Sequence, residues 1–453
     1  MHKIFIIGAG RSASSLISHL QERSLEKNWK LVIGDFQKEL AESKAKNHPH
    51  CEAIFFDAND ATQRKAEISQ ADIVISMLPA SMHYLVAKDC IALKKHLITA
   101  SYVSKEIEQL HQEAIKNDVL LLNEIGLDPG IDHMSAMQMI KGAKDKGYHI
   151  EAFESFAGGL LAPESENNPW KYKFTWNPRN VVLAGHGGAV KFLHNGRYKY
   201  IPYNRVFRRT EIINIDGYGR FEGYANRDSL KYIEKYGLQN TPTVYRGTLR
   251  RPGFCRAWDC FVKIGATDDS YIMENSENMT YREFINSFLA YNPNDSVELK
   301  LMYYLKIDQD SDVIEKLHSL DIFSDKKVGL KNATPAQILQ KILEDKWTLA
   351  PTDKDMIVMY HKLVYGTGTT HRLLTSHMVI KGDDQVETAM AKTVGWPMAI
   401  ATELLLDGKI SMRGVQIPIH PEIYEPVLSA LAQKGIVFQE HEIELDPQQM
   451  SSL

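Results

Sequence analysis

The sequence has few cysteines and no metal-binding motif. Its four cysteines, Cys51, Cys90, Cys255 and Cys260, form no CxxC pair, which argues against a zinc site and against a disulfide framework. No HExxH or comparable spacing occurs among the 17 histidines. We therefore expect reduced thiols and no catalytic metal.

Neither sign of charge dominates the chain, and it lacks a long apolar run. Lys and Arg number 53 and Asp and Glu number 57, a net charge of −4, so no broad basic surface is available for nucleic acid or a membrane. No segment approaches the about 20 apolar residues of a membrane-spanning helix, and the apolar stretch within residues 1–10 is too short for a secretion signal. We expect a soluble, cytoplasmic protein of two or three domains that acts on a small molecule.

What the sequence does have is a glycine motif after its first apolar strand. The run Lys3-Ile-Phe-Ile-Ile-Gly8-Ala-Gly10-Arg11-Ser12-Ala13 places a strand, a turn and a helix start in the order that binds a dinucleotide pyrophosphate. Gly8 permits a sharp turn, Gly10 removes a Cβ that would meet the phosphates, and Ala13 lets the helix lie close to the strand. The motif predicts NAD or NADP binding; a glycine turn in an unrelated α/β domain is the alternative.

Further apolar segments alternate with helical patterns after this motif. They lie at about residues 30–35, 52–56, 72–78, 96–100 and 119–123, and such alternation is typical of a parallel sheet. Six strands predict a doubly wound α/β domain with its ligand beyond the carboxyl ends of the strands.

Acidic residues follow two of these strands. Asp35 ends the second strand, where a carboxylate receives the ribose hydroxyls, and it favours NAD because it would repel the 2′-phosphate of NADP. Lys38 would soften that repulsion if it reached inward. Asp57 follows the third strand and is placed to accept a hydrogen bond from the adenine amino group. For both acids, capping of the next helix is the alternative.

The pattern changes after about residue 124. Strand-like segments occur at residues 149–156, 180–184 and 211–215, residues 281–350 turn helical, and residues 386–395 and 398–406 have two further helical patterns. We predict a dinucleotide-binding domain from residues 1–124 and about 390–453, a substrate domain from 125–280 and about 351–389, and a helical insert at 281–350.

Several motifs together resemble one known family. The segment Asn123-Glu-Ile-Gly-Leu-Asp128-Pro-Gly-Ile-Asp132-His133 follows the sixth strand, at the nicotinamide side; taken alone, it is also typical of a plain turn with a buried histidine. The other motifs are Ser101-Tyr102, residues 158–164, 168–179 and 226–229, Arg246-Gly-Thr248-Leu249-Arg250, residues 393–397 and Arg413-Gly414. Together, these segments make the chain similar to the glutamate-forming saccharopine dehydrogenase (saccharopine reductase) family over nearly its whole length.

The resemblance implies a variant Rossmann domain completed by C-terminal helices, a mixed-sheet α+β substrate domain and a small helical domain, with a homodimer favoured. It implies interconversion of saccharopine with L-glutamate and α-aminoadipate semialdehyde, in lysine metabolism. The glutamate-forming fungal members prefer NADP and typically carry a basic residue at the position of Asp35, which leaves the choice of cofactor open. The implied substrate-binding residues are Ser101, Tyr102, Asp128, Arg227, Thr248, Leu249 and Arg250. The predicted cofactor-binding residues are Gly8, Gly10, Arg11, Ser12, Ala13, Asp35, Asp57, Ala58, Leu78, Ala100, Ser101, Leu127, Pro129 and Thr175.

Chemistry assigns roles to these residues. Saccharopine carries three carboxylates, and a guanidinium group binds a carboxylate through two parallel hydrogen bonds, so Arg227 and Arg250 fit that task; solvated surface charge is the alternative. Asp128 is the catalytic candidate for binding the amine and relaying a proton. Tyr102 would donate a proton or orient water, unless it is a packed aromatic.

Two other functions stay open at this point. A carboxynorspermidine or carboxyspermidine dehydrogenase also reduces an imine, but its substrate is more cationic. A dinucleotide-sensing protein would bind the cofactor without turnover.

Overall fold

The structure of the protein is a computed structural model that describes residues 1–184, 188–368 and 370–446. It divides into two compact units, each built from two stretches of chain. The first unit comprises Met1–Tyr148 and Met378–Gln439, and the second comprises His149–His377 and Glu440–Leu453.

The strands and helices alternate regularly only in the first third of the chain. The strands are β1 (His2–Ile7), β2 (Trp29–Asp35), β3 (Cys51–Phe55), β4 (Ile73–Ser76), β5 (His96–Ile98), β6 (Leu120–Leu122), β7 (His149–Leu161), β8 (Val190–His194), β9 (Arg197–Ile201), β10 (Thr210–Ile215), β11 (Gly219–Ala225), β12 (Thr243–Arg250), β13 (Asp355–Thr367), β14 (Thr370–Lys381), β15 (Gly414–Gln416) and β16 (Gln439–Leu445). The helices are α1 (Ser14–Lys27), α2 (Lys38–Ala45), α3 (Ala61–Gln70), α4 (His83–Ala92), α5 (Lys105–Glu108), α6 (His111–Lys116), α7 (Ile131–Asp145), α8 (Pro178–Val182), α9 (Lys231–Lys235), α10 (Phe254–Ile264), α11 (Tyr281–Asn286), α12 (Val297–Leu305), α13 (Asp312–Ser319), α14 (Pro335–Trp347), α15 (Ala389–Leu406) and α16 (Pro421–Gln433).

The first unit is built on a parallel sheet. Its strands follow the order β15-β6-β5-β4-β1-β2-β3, and every neighbouring pair is parallel. All six predicted strands are present, and β15 adds a seventh from the C-terminal part of the chain. Because β1 lies in the middle, the chain winds outward in both directions, which confirms the doubly wound fold.

C-terminal helices complete this unit. Helix α15 continues through Pro397 as one helix, where the sequence had suggested two. A Cβ on Gly395 would lie 2.6 Å from the backbone nitrogen of Leu16, so glycine lets α15 pack closely against α1. Helix α7 packs against α16, and the first unit therefore extends to residue 148 rather than to the predicted 124.

The second unit is built on a mixed sheet. Its strands follow the order β10-β11-β12-β7-β13-β14-β16, with β8 and β9 attached beside β12. The pair β12 and β7 is parallel, whereas β11 with β12 and β7 with β13 are antiparallel. Helices α10 to α14 share one aromatic core with this sheet, around Trp170, Trp258 and Trp347. The predicted helical insert is thus packed within the second unit.

One local prediction was wrong. Residues 180–184, which look strand-like in the sequence, lie mostly in helix α8 and the turn that follows it. Pro178 occupies the first turn of this helix, and the Asn177 side chain accepts a hydrogen bond from the Arg179 backbone N–H. A proline at the helix start and an asparagine cap override the β-propensity of Val181 and Val182.

Candidate functional site

The carboxyl ends of strands β1 to β6 carry most of the predicted site residues. Because these strands are parallel, their carboxyl ends meet at one edge of the sheet. At this edge, the segment 8–13 follows β1, Asp35 ends β2, and the other residues follow β3, β4, β5 and β6. Those other residues are Asp57 and Ala58 after β3, Leu78 after β4, Ala100, Ser101 and Tyr102 after β5, and Leu127, Asp128 and Pro129 after β6.

The glycine turn has the geometry that a pyrophosphate requires. Gly8 has a φ of +101°, and a Cβ there would lie 3.1 Å from the Met77 carbonyl oxygen. A Cβ on Gly10 would meet no atom within 4 Å, so packing does not explain glycine at this position, whereas close approach of a phosphate does. Ala13 is fully buried at the start of the helical segment. These residues fit a dinucleotide.

Asp35 holds the glycine turn in place. One of its carboxylate oxygens accepts a hydrogen bond from the Ala9 backbone N–H at 2.7 Å, and the other accepts from the Gln37 N–H at 2.8 Å. The residue at the N-cap of α2 is Gln37, so the capping alternative for Asp35 is wrong. Its carboxylate lies beside the turn, as a cofactor-binding acid requires.

The capping alternative is also wrong for Asp57. Helix α3 is capped by Asp60, whose carboxylate accepts from the backbone N–H groups of Thr62 and Gln63. Asp57 instead accepts from the N–H of Asn59 at 2.9 Å. It therefore shapes the loop between β3 and α3, at the carboxyl edge of the sheet.

Tyr102 and Asp128 lie together. The Tyr102 hydroxyl donates a hydrogen bond to the Asp128 carboxylate at 2.9 Å, and both side chains are half-buried. The loop that carries Asp128 is compact because the Gly126 N–H donates to the Pro129 carbonyl at 3.0 Å. A carboxylate with one hydroxyl already bound and partial exposure to solvent is suited to hold an amine and pass on a proton.

A buried polar network lies behind this pair. Glu124 and His133 are 2% and 0% exposed, and the His133 Nε2 lies 2.8 Å from the Glu124 carboxylate. The other oxygen of Glu124 accepts from the Val103 N–H at 3.0 Å. Glu124 thus ties the segment after Tyr102 to the helix after Asp128, and His133 is the satisfied buried histidine of the alternative interpretation.

A second buried histidine connects two serines at the same edge. His83, the first residue of α4, places Nδ1 2.9 Å from the Ser76 hydroxyl and Nε2 2.7 Å from the Ser101 hydroxyl. The Thr99 hydroxyl lies 3.4 Å from the same Nε2. Burial lowers the pKa of His83 to about 4, so the imidazole is neutral at physiological pH.

In the second unit, Arg250 is a buried guanidinium that has no anionic partner among the residues the structure describes. It ends β12, is 7% exposed and stacks over the rings of Tyr172 and Phe254 at 5.1 and 5.3 Å. Its Nη1 donates to the Leu249 carbonyl at 2.8 Å, while its Nε has no partner among the described residues. Glu222, opposite in register, accepts instead from the backbone N–H groups that begin α10.

The other predicted residues of this unit differ in exposure. Arg227 is exposed, in a turn where its φ is +56°. Thr248 is half-buried two residues before Arg250, and Leu249 is fully buried. Thr175 is buried, and its hydroxyl has no partner among the described residues.

Two further cations, in the segment 168–179, are already paired. The Lys173 ammonium lies 2.6 Å from the buried Asp353 carboxylate, and Arg179 pairs with Asp269. Each of these two cations therefore already has an anionic partner within the protein. Across the described ranges, no three His, Cys, Asp or Glu side chains are placed to hold a metal ion.

Sequence reasoning missed His83 and gave Glu124 no role. A histidine after a strand carries no pattern that separates it from other buried histidines. Glu124 did offer a signal, because only Asn123 separates it from a run of apolar residues, and two more acids and a histidine occur in the next nine positions. Such a cluster of titratable residues in an apolar setting indicates a buried polar network.

The doubly wound sheet and its glycine turn define a dinucleotide-binding protein. Family models agree: residues 4–122 match the saccharopine dehydrogenase NADP binding domain and residues 126–436 match the saccharopine dehydrogenase C-terminal domain. The chain belongs to the saccharopine dehydrogenase family. No helix in the described part of the chain is long and apolar enough to span a membrane.

Relatives of two lengths match the chain. Saccharopine dehydrogenase [NADP(+), L-glutamate-forming] of Schizosaccharomyces pombe is 32% identical over 98% of this chain and 100% of its own length. The mitochondrial alpha-aminoadipic semialdehyde synthase of Rattus norvegicus is 32% identical over 96% of this chain but only 47% of its own length. The chain thus spans about half the length of the first curated relatives that it matches.

Solved structures give the same fold. The apo saccharopine dehydrogenase (L-Glu forming) of Saccharomyces cerevisiae has a TM-score of 0.87 and 29% identity, covering 98% of this chain and 100% of its own. The homospermidine synthase of Legionella pneumophila, at a TM-score of 0.56 and 10% identity over 98% of this chain and 91% of its own, shares the fold alone.

Proposed function

We propose that the protein interconverts saccharopine with L-glutamate and α-aminoadipate semialdehyde, using a nicotinamide dinucleotide. The relatives named as glutamate-forming saccharopine dehydrogenases over their full length support this reaction. The observation that carries the proposal is the buried Arg250, which lacks an anionic partner among the described residues. Burial of an unpaired cation is costly, so a carboxylate supplied by a ligand accounts for it.

Arg250 also separates the two candidate substrates. A polyamine derivative is predominantly cationic, and a buried guanidinium group repels it. Saccharopine carries three carboxylates and matches the guanidinium fork in charge and shape. The same comparison favours saccharopine over carboxynorspermidine.

The bound dinucleotide supplies the hydride chemistry. On oxidation, the carbon beside the secondary amine loses a hydride and the nitrogen loses a proton, which gives an imine. Water adds to the imine carbon, and cleavage of the C–N bond releases L-glutamate and the aldehyde. Asp128 stabilises the positive charge of the amine and imine and accepts the proton, and Tyr102 holds the Asp128 carboxylate in place through the bond of 2.9 Å.

Incubation of purified protein with saccharopine and each oxidised dinucleotide tests the proposed function. We expect a rise in absorbance at about 340 nm, where reduced nicotinamide absorbs, together with one glutamate for each reduced dinucleotide. Carboxynorspermidine in the same assay is the control. Dinucleotide binding without turnover of either compound would instead identify a sensing protein.

We further propose that NAD is preferred and that Asp35 determines the preference. Asp35→Asn keeps an oxygen that accepts from the Ala9 N–H but removes the charge that repels a 2′-phosphate. The ratio of kcat/KM for NAD to that for NADP should fall about tenfold, since repulsion between two like charges about 4 Å apart costs ~1 kcal/mol or more. Glu39→Gln, a charge change at an exposed position on α2, is the control. A wild-type protein that strongly prefers NADP would contradict this argument.

A further inference from the structure

His83 links a buried strand end to a residue of the proposed substrate site. Ser76 ends β4 and is 1% exposed, His83 is 3% exposed, and Ser101 is half-buried after β5. The imidazole bridges the two hydroxyls at 2.9 and 2.7 Å. No described carboxylate is bonded to this imidazole, so it lacks the acidic partner of a catalytic relay.

We propose that His83 is a positioning residue that makes Ser101 a hydrogen-bond donor toward a carboxylate oxygen of the substrate. The inference rests on the proposed function, because the carboxylate is that of saccharopine. It assigns the imidazole one tautomer: Nδ1 accepts from the Ser76 hydroxyl, and Nε2–H donates to the Ser101 oxygen.

The hydrogen-bond inventory of a neutral imidazole supports this direction. One ring nitrogen donates and the other accepts, so the chain of bonds has a single sense. With Nε2–H pointing at Ser101, the Ser101 hydroxyl hydrogen is left to donate outward. A carboxylate can accept this hydrogen bond, since it has acceptor oxygens and no donor. With the opposite tautomer, Ser101 would donate to the histidine and present lone pairs to a carboxylate, which is repulsive. Burial keeps the imidazole neutral, because it lowers the pKa of His83 to about 4.

Backbone groups of Ser101 fix the outer end of this chain of hydrogen bonds. The Ser101 N–H donates to the Thr99 hydroxyl at 3.3 Å, and the Ser101 carbonyl accepts from the Glu124 N–H at 3.1 Å. The Ser101 main chain is therefore bonded to Thr99 and Glu124 rather than to the His83 ring. Loss of the imidazole should change the direction of the Ser101 hydroxyl more than the position of its backbone.

A double-mutant cycle tests the inference. His83→Phe keeps the ring and removes both hydrogen bonds, and we expect the KM for saccharopine to rise about tenfold, with kcat changed less than about threefold, because a hydrogen bond to a charged group held equally in both states mainly affects binding. Ser101→Ala should give a similar rise. The double variant should match Ser101→Ala alone, since His83 acts only through that hydroxyl. Titration calorimetry with saccharopine and the reduced dinucleotide should show the same loss of affinity.

Two variants make the readout specific. His83→Gln places an amide N–H near the position of Nε2–H and should keep KM within about threefold of the wild-type value. His96→Phe removes the bond in which a β5 histidine accepts from the Leu120 N–H at 3.0 Å; it should lower the melting temperature without changing KM. If His83→Phe does not fold, Ser76→Ala replaces it in the cycle, with an expected threefold rise in KM.

The outcomes separate this inference from the proposed function. Turnover by the wild-type protein, with His83 and Ser101 effects that multiply, would overturn the inference alone. A His83→Phe variant with a lower melting temperature but an unchanged KM for saccharopine would also overturn the inference alone. Absence of saccharopine turnover and binding in the wild-type protein would overturn the proposed function, and this inference with it.

Discussion

Arg250→Ala should lower kcat/KM for saccharopine at least about thirtyfold, a loss of ~2 kcal/mol or more of transition-state stabilisation, while the dissociation constant of the dinucleotide stays unchanged. The guanidinium group is buried over two aromatic rings, and its Nε has no hydrogen-bond partner in the described part of the chain. A carboxylate bound there is desolvated, so its loss costs more than that of an exposed ion pair. Steady-state kinetics and a fluorescence titration with the reduced dinucleotide measure the two quantities.

Arg250→Lys distinguishes charge from geometry. Lysine keeps the positive charge but cannot form two parallel hydrogen bonds, so this variant should recover only part of the lost kcat/KM. Arg220→Ala, at an exposed position on β11, is the matched control. Melting curves verify that each variant is folded. Wild-type kinetics in folded Arg250→Ala would remove the assignment of this residue to the substrate.

Asp128→Asn should lower kcat at least about a hundredfold, with a smaller change in KM. The amide retains an oxygen that accepts from the Tyr102 hydroxyl, but it can neither take up a proton nor stabilise a cationic amine. Removal of a general acid or base costs ~10²- to 10⁴-fold in rate. Tyr102→Phe, which keeps the carboxylate and removes only its hydrogen-bond donor, should lower kcat less.

Chemical rescue provides the decisive observation for Asp128. Sodium formate should restore part of the activity of Asp128→Ala, because a small carboxylate can enter the space left by the side chain. Asp145→Asn, on the exposed end of α7, is the control. If Asp128→Asn retains most of the wild-type kcat, the proton acceptor is another group.

The first sheet was predictable because its central strands are buried on both faces. Residues such as Ile6, Ile33 and Ile75 are fully buried, so apolar runs mark strands directly, and the glycine turn marks the order of elements. The cap of α3 was not predictable in this way. Both Asp57 and Asp60 are residues that suit a helix cap, and only the position of the helix start decides between them.

The functional residues were partly predictable for a different reason. Motifs singled out Tyr102 and Asp128, yet their contact joins segments after different strands and depends on the fold. Arg250 and Arg227 look alike in the sequence, but one is buried and the other exposed, because only the β12 position points toward the aromatic rings. His83 depends on two serines, seven residues before it and 18 residues after it, and no local pattern encodes such a bridge.

The interrupted first unit has a consequence for synthesis on the ribosome. Its parallel sheet cannot gain β15 until the chain beyond Gln416 has left the exit tunnel, and α1 cannot gain its close neighbour α15 until the chain beyond Leu406 has left it. Until then, the side of α1 that contacts Gly395 stays uncovered, even after residues 149–377 of the second unit have been synthesised. Nascent chains stalled before residue 389 should therefore be open to chaperones and proteases at their amino-terminal part.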